Sequence, residues 1–80
     1  MKLIKYEASW CGPCKALDSI IEAADLKIEI KKIDIDQNVK CAKDNDIRSI
    51  PTIVLMDGDK EVARKSGLLT IDEFKEFANG

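Results

Sequence analysis

The sequence predicts an α/β fold: a mixed four-stranded sheet with helices on both faces, in the order β-α-β-α-β-β-α. Three observations predict it. Apolar-rich runs at residues 2–8, 26–36, 52–56 and 61–65 read as strands, and apolar residues at helical spacing fill three of the stretches around them. A crossover of about twenty residues joins the first two runs, long enough for a helix and therefore for right-handed parallel pairing. Asp57-Gly58 between the last two runs is a hairpin signal, which makes that pair antiparallel.

The elements follow in chain order. Lys2 to Ala8 carries Leu3, Ile4, Tyr6 and Ala8 among the charges of Lys5 and Glu7, and forms the first strand. Ser9 to Pro13 breaks it, and Pro13 suits a first helical turn, where no backbone N–H is missed. Leu17, Ile20, Ile21 and Ala24 then recur at helical spacing, with Lys15, Asp18, Ser19 and Glu22 on the polar side. Leu26 to Asp36 is a second strand, with a phase slip at Lys31-Lys32. Asp36 or Asn38 caps a short helix reaching about Asn45. Pro51 opens a third strand, Thr52 to Met56, apolar on both faces and hence central. Glu61 to Lys65 returns as an edge strand and Gly67 ends it. Thr70-x-x-Glu73 is a capping box before a last helix with Ile71, Phe74 and Phe77 on one face.

Eighty residues make one domain, residues 1–80, with a radius of gyration of about 12 Å. Such a chain buries only about 60% of the surface its unfolded form exposes, so each apolar residue matters. Apolar residues are 45% and charged residues 35% of the chain, a soluble globular balance. Thirteen basic and fifteen acidic residues give a net charge of −2 without a basic stripe, which argues against nucleic-acid binding. The longest apolar run, Ile53-Val54-Leu55-Met56, is far too short to span a membrane. No basic leader with an apolar stretch opens the chain, so it reads as cytoplasmic. Histidine is absent, which removes Cys-His and Ser-His nucleophilic pairs and the common zinc sites.

Three cysteines remain, Cys11, Cys14 and Cys41, an odd number that argues against a structural disulfide framework. Trp10-Cys11-Gly12-Pro13-Cys14 lies where the first strand meets the first helix. Unpaired N–H groups and the positive end of the helix dipole stabilise a sulfur there as thiolate. Cys11 is the candidate for a depressed pKa, with Cys14 one turn deeper and shielded. The three-residue step stacks the second sulfur over the first and permits a disulfide across a short loop. Lowering a thiol from about 8.5 to about 7 raises its thiolate fraction at neutral pH about 15-fold. Intrinsic nucleophilicity falls about fivefold with that change, so attack gains only a few-fold. The larger advantages are a second thiol held within reach and a better leaving group. A zinc or iron–sulfur pair is the competing reading, and it needs a dimer, because tetrahedral zinc takes four Cys or His ligands. Cys41 reads as a small buried apolar residue, or else as a regulatory or dimerising thiol.

Trp10-Cys11-Gly12-Pro13-Cys14-Lys15 resembles the active-site motif of the thioredoxin family, and Ile50-Pro51-Thr52 resembles its second signature, a cis-proline loop facing the cysteines. Asp36-Gln37-Asn38, Ile47-Arg48 and Gly67 also stand where thioredoxins carry similar residues. The resemblance implies a thioredoxin-like fold, Cys11 as attacking thiolate and Cys14 as resolving thiol. It implies substrate contacts from Trp10, Gly12, Pro13, Ile50, Pro51 and Gly67, with an extended substrate pairing to the Ile50 backbone as an added strand. It implies no bound cofactor beyond the redox-active Cys11–Cys14 disulfide, and no metal.

Three departures mark the chain. It lacks the N-terminal strand and helix of full-length thioredoxins and has the compact size of glutaredoxins. Gly12-Pro13 is not the usual glutaredoxin dipeptide, and Gly67-Leu68-Leu69-Thr70 lacks that family's glutathione pattern. Lys5 stands six residues before Cys11, where thioredoxins keep a buried aspartate, and Lys32 matches the lysine that pairs with it. Both are candidate modulators of the thiol pKa values, since an amine near Cys14 favours its thiolate. Two adjacent ammonium groups repel, so Lys5 is expected to turn outward or to find Glu7, Asp34 or Asp36.

The resulting expectation is a monomeric thiol–disulfide oxidoreductase that reduces protein disulfides, ribonucleotide reductase being one recipient. Its electrons come from a thioredoxin-reductase-like, NADPH-dependent donor. The alternatives are a glutaredoxin-like donor linked to glutathione and a non-catalytic thioredoxin-like binding subunit.

Overall fold

A computed structural model describes residues 1–79. The strands are β1 (Lys2–Glu7), β2 (Glu29–Asp34), β3 (Thr52–Asp57) and β4 (Lys60–Ser66), and the helices are α1 (Gly12–Ala24), α2 (Val39–Asp44) and α3 (Ile71–Ala78). The element order is the expected β-α-β-α-β-β-α, and the radius of gyration is 11.7 Å. The sheet runs β2-β1-β3-β4, with β1 parallel to β2 and antiparallel to β3, and β3 antiparallel to β4. β3, apolar on both faces, is central as its composition requires.

The main core lies between the sheet and the α1/α3 pair. Leu3 on β1 stands opposite Leu55 on β3, and Leu17, Ala24, Leu69 and Phe74 close over them. Phe74 is fully buried and Phe77 packs on the same cluster, while Ile71, at the start of α3, stays 36% exposed. The Thr70 hydroxyl accepts from the Glu73 N–H and the Glu73 carboxylate accepts from the Thr70 N–H, so both halves of the capping box form. The backbone N–H of Thr70 holds the Glu73 carboxyl below its ordinary pKa, as expected of an anion at a helix N-terminus. On the other face, Tyr6, Val54 and Ala42 are buried. Burial raises the Tyr6 phenol, and the neighbouring Cys41 adds to the shift. Cys41 itself is only partly buried.

Two expectations change. The first strand ends at Glu7 and the second runs only from Glu29 to Asp34, because Ala8 and Ile35 leave the ladder to pack around the cysteines and Leu26 and Ile28 pack on the main core before the strand begins. The phase slip at Lys31-Lys32 does not occur: the β1–β2 register is continuous from Lys2↔Glu29 to Glu7↔Asp34. Lys32 sits on the α1-facing side in line with Ile30, beside Lys5, at a position that alternation would assign to an apolar residue. At α2, Asn38 occupies the cap position without a side-chain cap bond, since its amide donates instead to the Asp34 carbonyl.

Candidate functional site

Cys11 is the residue that starts α1. The chain leaves β1 at Glu7, turns through a Cys11 N–H to Ala8 carbonyl bond of 3.2 Å, and enters the helix with Pro13 in its first turn. Cys11 keeps an extended backbone (φ −88°, ψ 107°), and its Sγ accepts the Cys14 N–H at 3.1 Å. A sulfur therefore takes the capping place usually held by a serine or aspartate oxygen, where a negative charge is favoured. Cys11 and Cys14 form a disulfide with their Cα atoms 5.3 Å apart. The two residues are almost equally buried, at 4% and 2% exposed. The expected difference in shielding is small in this oxidised form, because the bond folds the Cys11 side chain back over the first turn.

The loop before β3 faces this pair. Ile50 and Ile35 pack against Ala8, Cys11 and Cys14. The Ile50–Pro51 peptide bond is cis, and Pro51 is fully buried. The Pro51 carbonyl accepts from the Gly67 N–H at 2.8 Å, and Gly67 has φ +90°, a backbone state that disfavours any side chain. Trp10, Ile35, Ile47, Arg48, Ser49 and Ile50 line a groove of about 290 Å³ beside the sulfurs. Trp10 is 67% exposed and its indole N–H donates to Asp36 Oδ2 at 2.7 Å. It is an exposed ledge rather than a packing residue, and Asp36 holds its orientation.

Lys5 does not turn outward. It faces α1 from the same side of β1 as Leu3, and its Nζ is fully buried. That nitrogen donates to Glu7 Oε1 at 2.7 Å, to Asp18 Oδ1 at 2.7 Å and to the Cys14 carbonyl at 2.9 Å. Lys32 reaches the same Asp18 oxygen at 3.1 Å. A shared carboxylate thus answers the repulsion expected between the two ammonium groups. Neither Asp34 nor Asp36 takes part, since Asp34 accepts the Asp36 N–H and Asp36 binds Trp10. Burial pushes the Asp18 carboxyl up, but the bonds and charges of Lys5 and Lys32 outweigh this and hold it below its ordinary pKa. Charges so buried are tolerated only when fully paired, and Lys5 fills all three of its donor positions. Helical spacing assigns Asp18 to the polar side of α1. Its position one turn after Cys14 is the signal that puts it under the disulfide.

Among the described residues, no three His, Cys, Asp or Glu side chains gather as a metal cage, and no helix is long and apolar enough to cross a membrane. A vicinal dithiol at a helix start, beside an apolar groove, defines a thiol–disulfide oxidoreductase in which the disulfide itself is the redox group. The thioredoxin family model matches residues 1–80. The thioredoxin of Chlamydia pneumoniae is 46% identical over 69 residues, covering 82% of this chain and 68% of the relative. That of Buchnera aphidicola is 37% identical over 79 residues, covering 94% of this chain and 73% of the relative. A solved mutant thioredoxin from Halobacterium salinarum superposes with a TM-score of 0.87 at 32% identity, covering 96% of this chain and 70% of that one. Fasciola hepatica thioredoxin superposes at 0.85 with 31% identity, covering 96% of this chain and 76% of its own. The chain belongs to the thioredoxin family.

Proposed function

We propose that residues 1–80, acting as one monomeric domain, reduce protein disulfides in the cytoplasm. The observation that carries this reading is the Cys11 sulfur at the start of α1, bonded to Cys14 and receiving its backbone N–H. In the reduced protein, the Cys11 thiolate attacks one sulfur of a target disulfide and expels the other as thiolate. Cys14 then attacks Cys11 in the mixed disulfide, releasing the second target sulfur and closing the Cys11–Cys14 bond. Two electrons pass to the target, and its two sulfurs take the Cys14 thiol proton and one proton from water.

The groove supplies the binding surface. Trp10 and Ile50 offer apolar contact, Gly12 and Pro13 leave the approach to the sulfurs low, and Pro51 with Gly67 shape the loop against which an extended peptide adds as a strand. A reducing role belongs to a compartment that keeps thiols reduced, which supports a cytoplasmic location. The family implies a thioredoxin-reductase-like electron donor drawing on NADPH, with disulfide-containing proteins such as ribonucleotide reductase as recipients.

Insulin-disulfide reduction tests the reading. Turnover is expected with NADPH and a thioredoxin reductase, and only background turnover with glutathione and glutathione reductase. The reverse pattern would establish the glutaredoxin-like alternative. Turnover with neither, alongside full biological activity of a Cys11→Ser, Cys14→Ser chain, would establish a binding subunit.

A further inference from the structure

We propose that Asp18 tunes the Cys11–Cys14 couple by setting how much of the Lys5 charge reaches the dithiol. Asp18 is a positioning residue here: it acts through Lys5. The Lys5 ammonium is fully buried and bonded to the carbonyl oxygen of Cys14, so its charge lies against the backbone of the resolving cysteine. In the disulfide the sulfurs carry no charge. Reduction by two electrons and one proton leaves one thiol and one thiolate, and the ammonium charge that Asp18 does not offset stabilises that anion.

The groups facing Lys5 are few. Glu7 comes from its own strand, Asp18 from α1 and Lys32 from β2, while β3 presents the apolar Ile53 opposite it. Two cations and two carboxylates nearly cancel. Removing one charge without changing shape breaks that balance in a predictable sense. Asp18→Asn leaves two ammonium groups against Glu7 alone, which favours thiolate and hence the reduced state. Lys5→Met leaves two carboxylates against the half-exposed Lys32, which disfavours both. Opposite shifts from two neighbouring substitutions are a mark that a packing role does not leave. The inference rests on the dithiol cycling described above.

The experiment equilibrates the full chain and its variants with dithiothreitol at pH 7 and follows alkylation of the reduced thiols across a pH series. Asp18→Asn is expected to shift the exchange constant about tenfold toward the reduced protein, about 30 mV for a two-electron couple, and to lower the thiol titration. Lys5→Met is expected to move both readings the other way. Asp18→Glu, which restores the charge, should return the constant to within about twofold of the parent, using the same relation between constant and potential. Asp18→Asn and Asp18→Glu suffice should Lys5→Met not fold. Shifts of Asp18→Asn and Lys5→Met in one direction, an unmoved constant, or Asp18→Glu behaving like Asp18→Asn would overturn the proposal. Failure of the unsubstituted chain to equilibrate would instead overturn the redox reading itself.

Discussion

The interface between α1 and the sheet has two unlike parts. In one, Leu17 and Ala24 pack with Leu3, Leu55 and Phe74 in an apolar cluster. In the other, Asp18, the residue after Leu17, meets Lys5, Glu7 and Lys32, and Lys5 also bonds the Cys14 carbonyl. The apolar part stabilises the fold, at roughly 25 cal/mol per Å² of apolar surface removed from water. The charged part adds little net stability, because desolvating the ions offsets most of their attraction. It places a fixed field near the disulfide instead. Dividing the two tasks between neighbouring positions of one helix lets a domain of this size keep charge next to its chemistry without opening its core.

Four substitutions sharpen or break this contrast. The largest effect is expected at the sulfurs. Cys11→Ser should abolish insulin-disulfide reduction, and Cys14→Ser should accumulate a mixed disulfide with target protein, visible by mass spectrometry. Neither should disturb the far-ultraviolet circular dichroism, because the apolar cluster is untouched. Retained turnover in Cys11→Ser would contradict the assignment of the attacking sulfur.

Next is Phe74→Ala, in the apolar cluster. Truncating a fully buried aromatic costs about 3–5 kcal/mol. A domain of this length has about 4–12 kcal/mol in all, so urea unfolding should shift strongly. The fraction that remains folded should turn over insulin at the parent rate. Loss of activity in excess of loss of folded protein would show that the two parts are not separable.

The smallest effect is a pH dependence. The folded Asp18 carboxyl lies below its unfolded value of about 3.9, so its stabilisation is fully present above that pH and is lost as pH falls through the folded value. The carboxylate is one-third exposed, and after solvent screening the contribution is about 0.5–1 kcal/mol. Urea midpoints of the parent and Asp18→Asn should therefore differ by a constant amount from pH 7 to about 5 and converge below about 4. A gap that persists in strong acid would locate the effect in packing instead.

Most of the fold was legible in local pattern. The Gly12-Pro13 helix start, the Thr70–Glu73 capping box, the Asp57-Gly58 hairpin and the central β3 each rest on residues within one turn or one strand of each other. The cysteine pair was legible for the same reason, since its spacing and its place at a helix start are both local. The groove was partly legible: Trp10, Ile47, Arg48 and Ile50 stood in matched motifs, but Ile35 joins them only because separate loops meet.

What the order of residues determined alone is the set of elements and the reactive pair, because helix and strand periodicity and a three-residue step are properties of neighbours. The fate of Lys5 was decided only by the folded chain. Nothing within a few residues of it distinguishes a strand lysine reaching water from one sealed under a helix. The choice depends on Asp18 arriving from α1 and Lys32 from β2 at the same point, and on β1 pointing that side chain inward. Charges brought together from three elements are a product of packing, and so is the field in which the sulfurs work.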